Sequence, residues 1–273
     1  LVSLLLVSMV ALGMRIPGLA IAEAVAERLV CAAGLGEGCG ASASPTVVAY
    51  GAELAQKVAA SAPELRYEEG MSSLPVDFRR CRQDACANGP GSGAVGESFN
   101  GEPVTVFTHV VDCRGPELDA AYDCSGERAG TVYVQYWLYW PGSATSRQLL
   151  GDAGFHDDDW ESFQVKIAPG ETDARASSHH GYNYDGGIGN WLSDAGITSR
   201  SAWDKDLGAY YISGGSHAGH ASDDGGRGGR WTPAGAINFV PIETLDDHDL
   251  ATGFAITPPW EKDVYSDPEN EGT

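Results

Sequence analysis

Residues 131–140, TVYVQYWLYW, constrain the fold of this chain more than any other stretch. β-branched and aromatic residues fill both alternating sets of positions, so the segment reads as a strand with bulky side chains on each face. A second period-two run precedes it, in which Val104, Val106, Thr108 and Val110 alternate with Thr105, Phe107 and His109. Residues 161–167, 210–213 and 236–242 read as further strands, and Gly-rich stretches such as 183–190 and 223–229 separate them. No long helix is expected after residue 98. The pattern predicts a mainly β domain over residues 99–273, a β-sandwich of jelly-roll-like type.

Two other regions precede that domain. Residues 1–14 carry no charge, Arg15 interrupts, and apolar residues resume to Ala22. This run, with Leu1, Leu5 and Val10 on it and Pro17 placed to kink it, has about the ~20 residues a membrane span needs. It reads either as a signal peptide with Ala20-Ile21-Ala22 as its small-residue cleavage site, or as a retained helix that anchors or assembles the chain, as in pilins. An amphipathic, Ala-rich continuation ends near Gly34 and Gly36, so residues 1–33 are expected to be helical. Residues 34–98 read as a helical and Gly-rich linker region, with a helix over 46–66 and a boundary in the Gly-, Asn- and Ser-rich stretch 81–98.

Charge and cysteine content bound the partners and the compartment. With 17 Lys and Arg against 38 Asp and Glu, the formal charge is −21, which repels phosphate and excludes nucleic acid as a partner. Six cysteines form three close couples, none with CxxC spacing. Short loops favour the pairs Cys31–Cys39, Cys81–Cys86 and Cys113–Cys124, and an even set in loop-like surroundings points to an oxidising, extracellular or cell-surface location.

Five of the seven histidines fall between positions 156 and 220, in the motifs FHDDDWES, SSHHGY and GGSHAGH. On a strand beginning near Asp159, the side chains of Asp159 and Glu161 share a face with Phe163, Val165 and Ile167. Two carboxylates heading an apolar face are costly unless a proton or cation neutralises them. His156, read as lying on the adjoining loop, can turn toward the same point. The mixed oxygen and imidazole set suits a divalent cation, with Ca²⁺ or Mg²⁺ preferred and Mn²⁺ or Zn²⁺ as the remaining choices. His180 and His217 are expected to converge on this centre as ligands or acid/base groups, with Asp158 and His179 as further members. Residues 214–218 approximate a nucleophile elbow, but Ala218 replaces the final Gly and the strand–elbow–helix setting is missing.

The order YWLYWP (136–141), HDDDWE (156–161), SHHGY (178–182) and GSHA (215–218) resembles the necrosis- and ethylene-inducing-like proteins, with kinship to the vacuolar-sorting-associated family and its GDWE and GSHA elements. The match covers residues 130–220. The resemblance implies a β-sandwich with a cation held by His156, Asp159 and Glu161, with His180 and His217 nearby. It also implies secretion and binding to sphingolipid headgroups at membranes. Two departures stand out: Gly142 and Ser143 occupy the place of an acidic ligand, for which Asp152 is the substitute, and Asp157 and Asp158 replace a basic residue.

The sequence therefore predicts an exported, cation-dependent module for lipid or glycan headgroups, with Trp137, Trp140, Trp191 and Trp203 available for stacking or for the core. Two alternatives stand beside it. One is an anchored or self-assembling surface protein built on the N-terminal helix; the other is a metal-assisted hydrolase using His180 or His217 as base. A non-enzymatic role is favoured.

Overall fold

The computed structural model describes residues 44–90, 96–115, 122–143, 156–177, 201–223 and 231–269. The N-terminal run with Leu1, Leu5, Val10 and Pro17, the Cys31–Cys39 pair, Asp152, His179, His180 and Trp191 lie outside the described residues. Among the described residues no helix is long and apolar enough to cross a membrane.

The chain from Pro45 onward forms one compact unit. It opens with helix α1 (Pro45–Ser61), kinked at Gly51, where φ is 77°. The helix stops short of the expected residue 66 because Pro63 lacks an N–H and disfavours helical backbone at Ala62. Beyond it Leu65 and Tyr67 turn inward on strand β1 (Glu64–Glu68). A one-turn helix α2 (Asp84–Ala87) follows, overlapping the loop closed by the Cys81–Cys86 disulfide. Strands β2 (Thr105–Asp112), β3 (Val132–Ser143), β4 (His156–Ala168) and β5 (Glu171–Ser177) come next, with a second disulfide joining Cys113 to Cys124. The remainder holds β6 (Ala209–Ile212), β7 (Gly219–His220), β8 (Trp231–Pro233) and β9 (Asn238–Pro241), then the short helices α3 (Asp247–Leu250) and α4 (Asp263–Ser266).

These strands make two sheets, in the orders β5-β4-β3-β2-β9 and β7-β6-β1-β8. The β2–β9 and β1–β6 pairs are parallel and the rest antiparallel. The fold is the mainly β, sandwich-like architecture that the sequence pattern predicts. Its inner layer joins Leu65, Tyr67, Tyr210 and Ile212 of the small sheet to Val134, Tyr136, Leu138, Phe163 and Val165 of the large one. The opposite face of the large sheet is also buried: Phe107, Trp137, Tyr139 and Trp160 pack under Phe78, Ile242, Leu245 and Val264. That second layer explains why β3 carries large side chains on both faces: Trp137 is buried in the outer layer and Trp140 in the inner one.

The region read as a linker supplies core residues instead, since Val58, Leu65, Tyr67 and Leu74 enter the inner layer and Val76 and Phe78 the outer one. β4 begins at His156, five residues before the expected strand. Its partner β3 continues to Ser143, and the ladder carries the acidic stretch along as strand through the pairs Trp140↔Asp159, Gly142↔Asp157 and Ser143↔His156. Cross-strand pairing overrides the poor intrinsic strand preference of Asp.

Phe163 packs on Tyr136 of the large sheet and Tyr210 of the small one, with ring centroids 6.3 and 5.7 Å away. Phe163→Ala is expected to cost about 3–5 kcal/mol, measured as a fall in the urea midpoint with little change in slope.

Candidate functional site

The site grows out of the inner face of β4. Register with β3 sets Asp159 opposite Trp140, Glu161 opposite Leu138 and Phe163 opposite Tyr136. Asp159 and Glu161 thus share the face of Phe163 and Val165, and they are more deeply enclosed than residues at the mouth of a sandwich, at 0% and 1% exposure.

The segment 213–220 closes over these acids. His217 Nδ1 lies 2.9 Å from Asp159 Oδ2, and His217 Nε2 lies 2.9 Å from Ser73 Oγ. An ionised carboxylate only accepts, so in the neutral imidazole Nδ1 carries the hydrogen and Nε2 accepts the Ser73 hydroxyl proton. Trp140 stacks flat on the imidazole, with centroids 4.5 Å apart and planes 3° from parallel. His217 itself sits at φ 53°, in the left-handed region that non-glycine residues rarely enter. Two further acids pin the same segment: Glu161 accepts the Gly219 N–H, and Glu68 Oε2 accepts the Gly214 N–H at 2.6 Å. Gly219 is required there, because a Cβ would overlap the Tyr210 hydroxyl.

Electrostatically the two inner acids differ. Asp159 has a hydrogen-bonded imidazole on one oxygen. Glu161 is pushed well above the ordinary glutamate range, first by loss of solvent and then by the neighbouring Asp159, with Lys262 acting in the opposite direction. Asp159 Oδ1 and Glu161 Oε1 are both buried without a hydrogen-bond partner. Orphaned carboxylate oxygens in such a place are the donors a hard cation takes.

The remaining predicted residues divide. His156 is the first residue of β4, not a loop residue, and its Nδ1 is 3.3 Å from the Asp157 carbonyl oxygen. Among the described residues no group of three or more His, Cys, Asp or Glu side chains is placed to hold a metal. Asp158, expected near the centre, instead works as a clasp. At φ 55° it accepts from Tyr139 at 2.6 Å, from Arg82 at 3.0 Å and from the Ala255 N–H at 2.8 Å. It thereby fastens the loop that carries Arg82 and the segment that carries Ala255 to β4. Trp203 is half-buried, with the Arg175 guanidinium 4.4 Å over its ring and its indole N–H donating to Glu269.

Several contributors were not singled out from the sequence, among them Glu68 and Lys262. Ser73 follows β1 in a stretch without a motif, and only the fold brings it to His217. Asp84, from the Cys81–Cys86 loop, presents its carboxylate to β3, with Oδ1 2.9 Å from where a Cβ on Gly142 would stand. A glycine at that position is the single sequence signal of the approach.

No family model matches the chain, and no curated protein does. Among solved structures it is similar to "NLPPya in complex with mannosamine", at 15% identity and a TM-score of 0.39 over 79% of this chain and 88% of that one. "Toxin fold for microbial attack and plant defense" matches at 15% identity and a TM-score of 0.37, over 74% and 82%. "Crystal structure of non-toxic HaNLP3 protein" matches at 13% and 0.36, over 72% and 78%. These structural neighbours are necrosis- and ethylene-inducing-like proteins.

The raised Glu161 pKa has a defined consequence for stability. Above the ordinary value of 4.5 the unfolded chain has released this proton while the folded chain still holds it. Stability therefore falls as pH rises from there toward the folded value, by up to ~1.4 kcal/mol per pH unit from this group. Glu161→Gln should flatten that slope in chelator-containing buffer, read from urea midpoints across pH 4.5–8.

Proposed function

We infer that the chain is an exported, cation-dependent β-sandwich module that binds lipid or glycan headgroups, with Asp159 and Glu161 holding a divalent cation. The observation that carries this reading is the pair of buried, partnerless oxygens, Asp159 Oδ1 and Glu161 Oε1, on one strand face. Two such acids in a core are costly unless something positive offsets them. An oxygen pair selects hard ions, so Ca²⁺ or Mg²⁺ is favoured over Mn²⁺ or Zn²⁺. His156, at the head of the same strand, and Asp152, His179 and His180, outside the described residues, are the proposed sources of further ligands. A bound cation would supply positive charge that neutralises the acids and attracts hydroxyl or phosphate oxygens of a headgroup. Export is supported by the two disulfides, Cys81–Cys86 and Cys113–Cys124, which persist in oxidising surroundings. The proposed location is extracellular or at the cell surface, with residues 1–33 as anchor, assembly helix or signal.

Calorimetric titration of the chelator-stripped full chain with Ca²⁺ and with Mg²⁺ should give about one site per chain by the acid pair. Saturation at a hundred times Kd should stabilise the protein by ~2.7 kcal/mol. Liposome sedimentation and glycan-array binding should both fall on adding chelator and in Glu161→Ala. Headgroup binding indifferent to chelator and to that substitution would overturn the reading.

A further inference from the structure

Ser73, His217 and Asp159 stand in a line of two hydrogen bonds, each 2.9 Å long, in the order hydroxyl, imidazole, carboxylate. We propose that this line is an acyl-transfer relay with Ser73 as its nucleophile, acting on short-chain carboxylic esters. The proposal shares Asp159 with the cation reading but does not require the cation. It uses Asp159 Oδ2, whereas the partnerless oxygen of that residue is Oδ1.

Four features of the arrangement support the assignment. The acid accepts from Nδ1, which leaves the Nε2 lone pair facing the serine hydroxyl; that is the tautomer a general base needs. Exposure rises along the line, from 0% at Asp159 through 3% at His217 to 9% at Ser73, so the group nearest solvent is the nucleophile and the orienting acid is the deepest. The imidazole is fixed by the flat Trp140 ring and by a strained backbone at φ 53°, and strain of this kind concentrates at functional sites. The motif GGSHAGH thus contributes its histidine, while the serine comes from a segment 144 residues earlier in the chain.

In the reaction, Ser73 Oγ forms a bond to the ester carbonyl carbon as its proton passes to His217 Nε2. The carbon–oxygen bond to the alcohol breaks, and that proton leaves on the departing alcohol. Water then attacks the acyl-serine and gives a proton to His217 Nε2, which returns it to Ser73 Oγ as the carboxylic acid departs. No oxidant or reductant enters. The low exposure of Ser73 limits the acyl group to a small one, such as acetyl.

The test treats the full chain with a fluorophosphonate probe at pH 8, with and without chelator, and maps the modified residue by peptide mass spectrometry. The expected result is phosphonylation at Ser73, slowed on the order of 100-fold or more in His217→Gln. p-Nitrophenyl acetate should be hydrolysed in preference to p-nitrophenyl palmitate, with acetate turnover lost in Ser73→Ala. Absence of label on Ser73 in the unsubstituted protein would overturn the proposal without reliance on any variant folding. So would labelling of His217→Gln at the unsubstituted rate, which would make Ser73 merely accessible. Equal turnover of the palmitate ester would overturn the short-chain assignment.

Discussion

Two carboxylates occupy the inner face of β4 where the rest of that face is hydrocarbon and aromatic ring, and much of the local structure answers to them. Asp159 draws His217 inward, and Glu161 draws the Gly219 N–H. Those two contacts bring segment 213–220 down onto the large sheet. Burial makes each contact strong and also makes it obligatory, since an acid left unpaired in such surroundings costs several kcal/mol. The acids therefore act as positioning devices for the segment above them, whatever else they bind.

The sheet beneath supplies the rigidity this requires. β3 and β4 are buried on both faces, the inner one against the small sheet and the outer one under Phe78 and the C-terminal helices. Side chains in such a double layer have little room to relax, so the register Trp140↔Asp159 fixes where a carboxylate meets an imidazole. Asp158 shows the same strand serving a second purpose. One residue from Asp159, it reaches the other layer and ties down Arg82, Tyr139 and the Ala255 backbone. Within the run of three aspartates, Asp158 is thus a clasp and Asp159 part of the site, separated by the alternation of a strand, while Asp157 is exposed.

Much of this was legible in the residues. The alternation in 131–140 identified the central strand, and the period-two argument placed Asp159 and Glu161 on one face with Phe163 and Val165. The GGSHAGH motif pointed to His217 as a partner, because a histidine among glycines can approach a neighbour closely. Two of the cysteine couples matched the pairs that short loops favour. The placement of His156 failed because a loop was expected where cross-strand hydrogen bonding extends the ladder to that residue. Asp158 belongs to the expected centre by proximity in sequence, but the alternation that joins Asp159 to Glu161 turns it to the opposite face.

Local pattern determined which segments are strands, which acids lie side by side and how Cys81, Cys86, Cys113 and Cys124 pair, since each depends on residues a few positions apart. Only tertiary structure decided that Ser73 meets His217 and that Asp84 faces Gly142. It also decided that β1, whose first three residues the sequence pattern assigns to a helix, completes the small sheet. Those contacts join elements far apart in the chain. They are selected by the closure of two sheets on a shared core, and no spacing in the sequence encodes that closure.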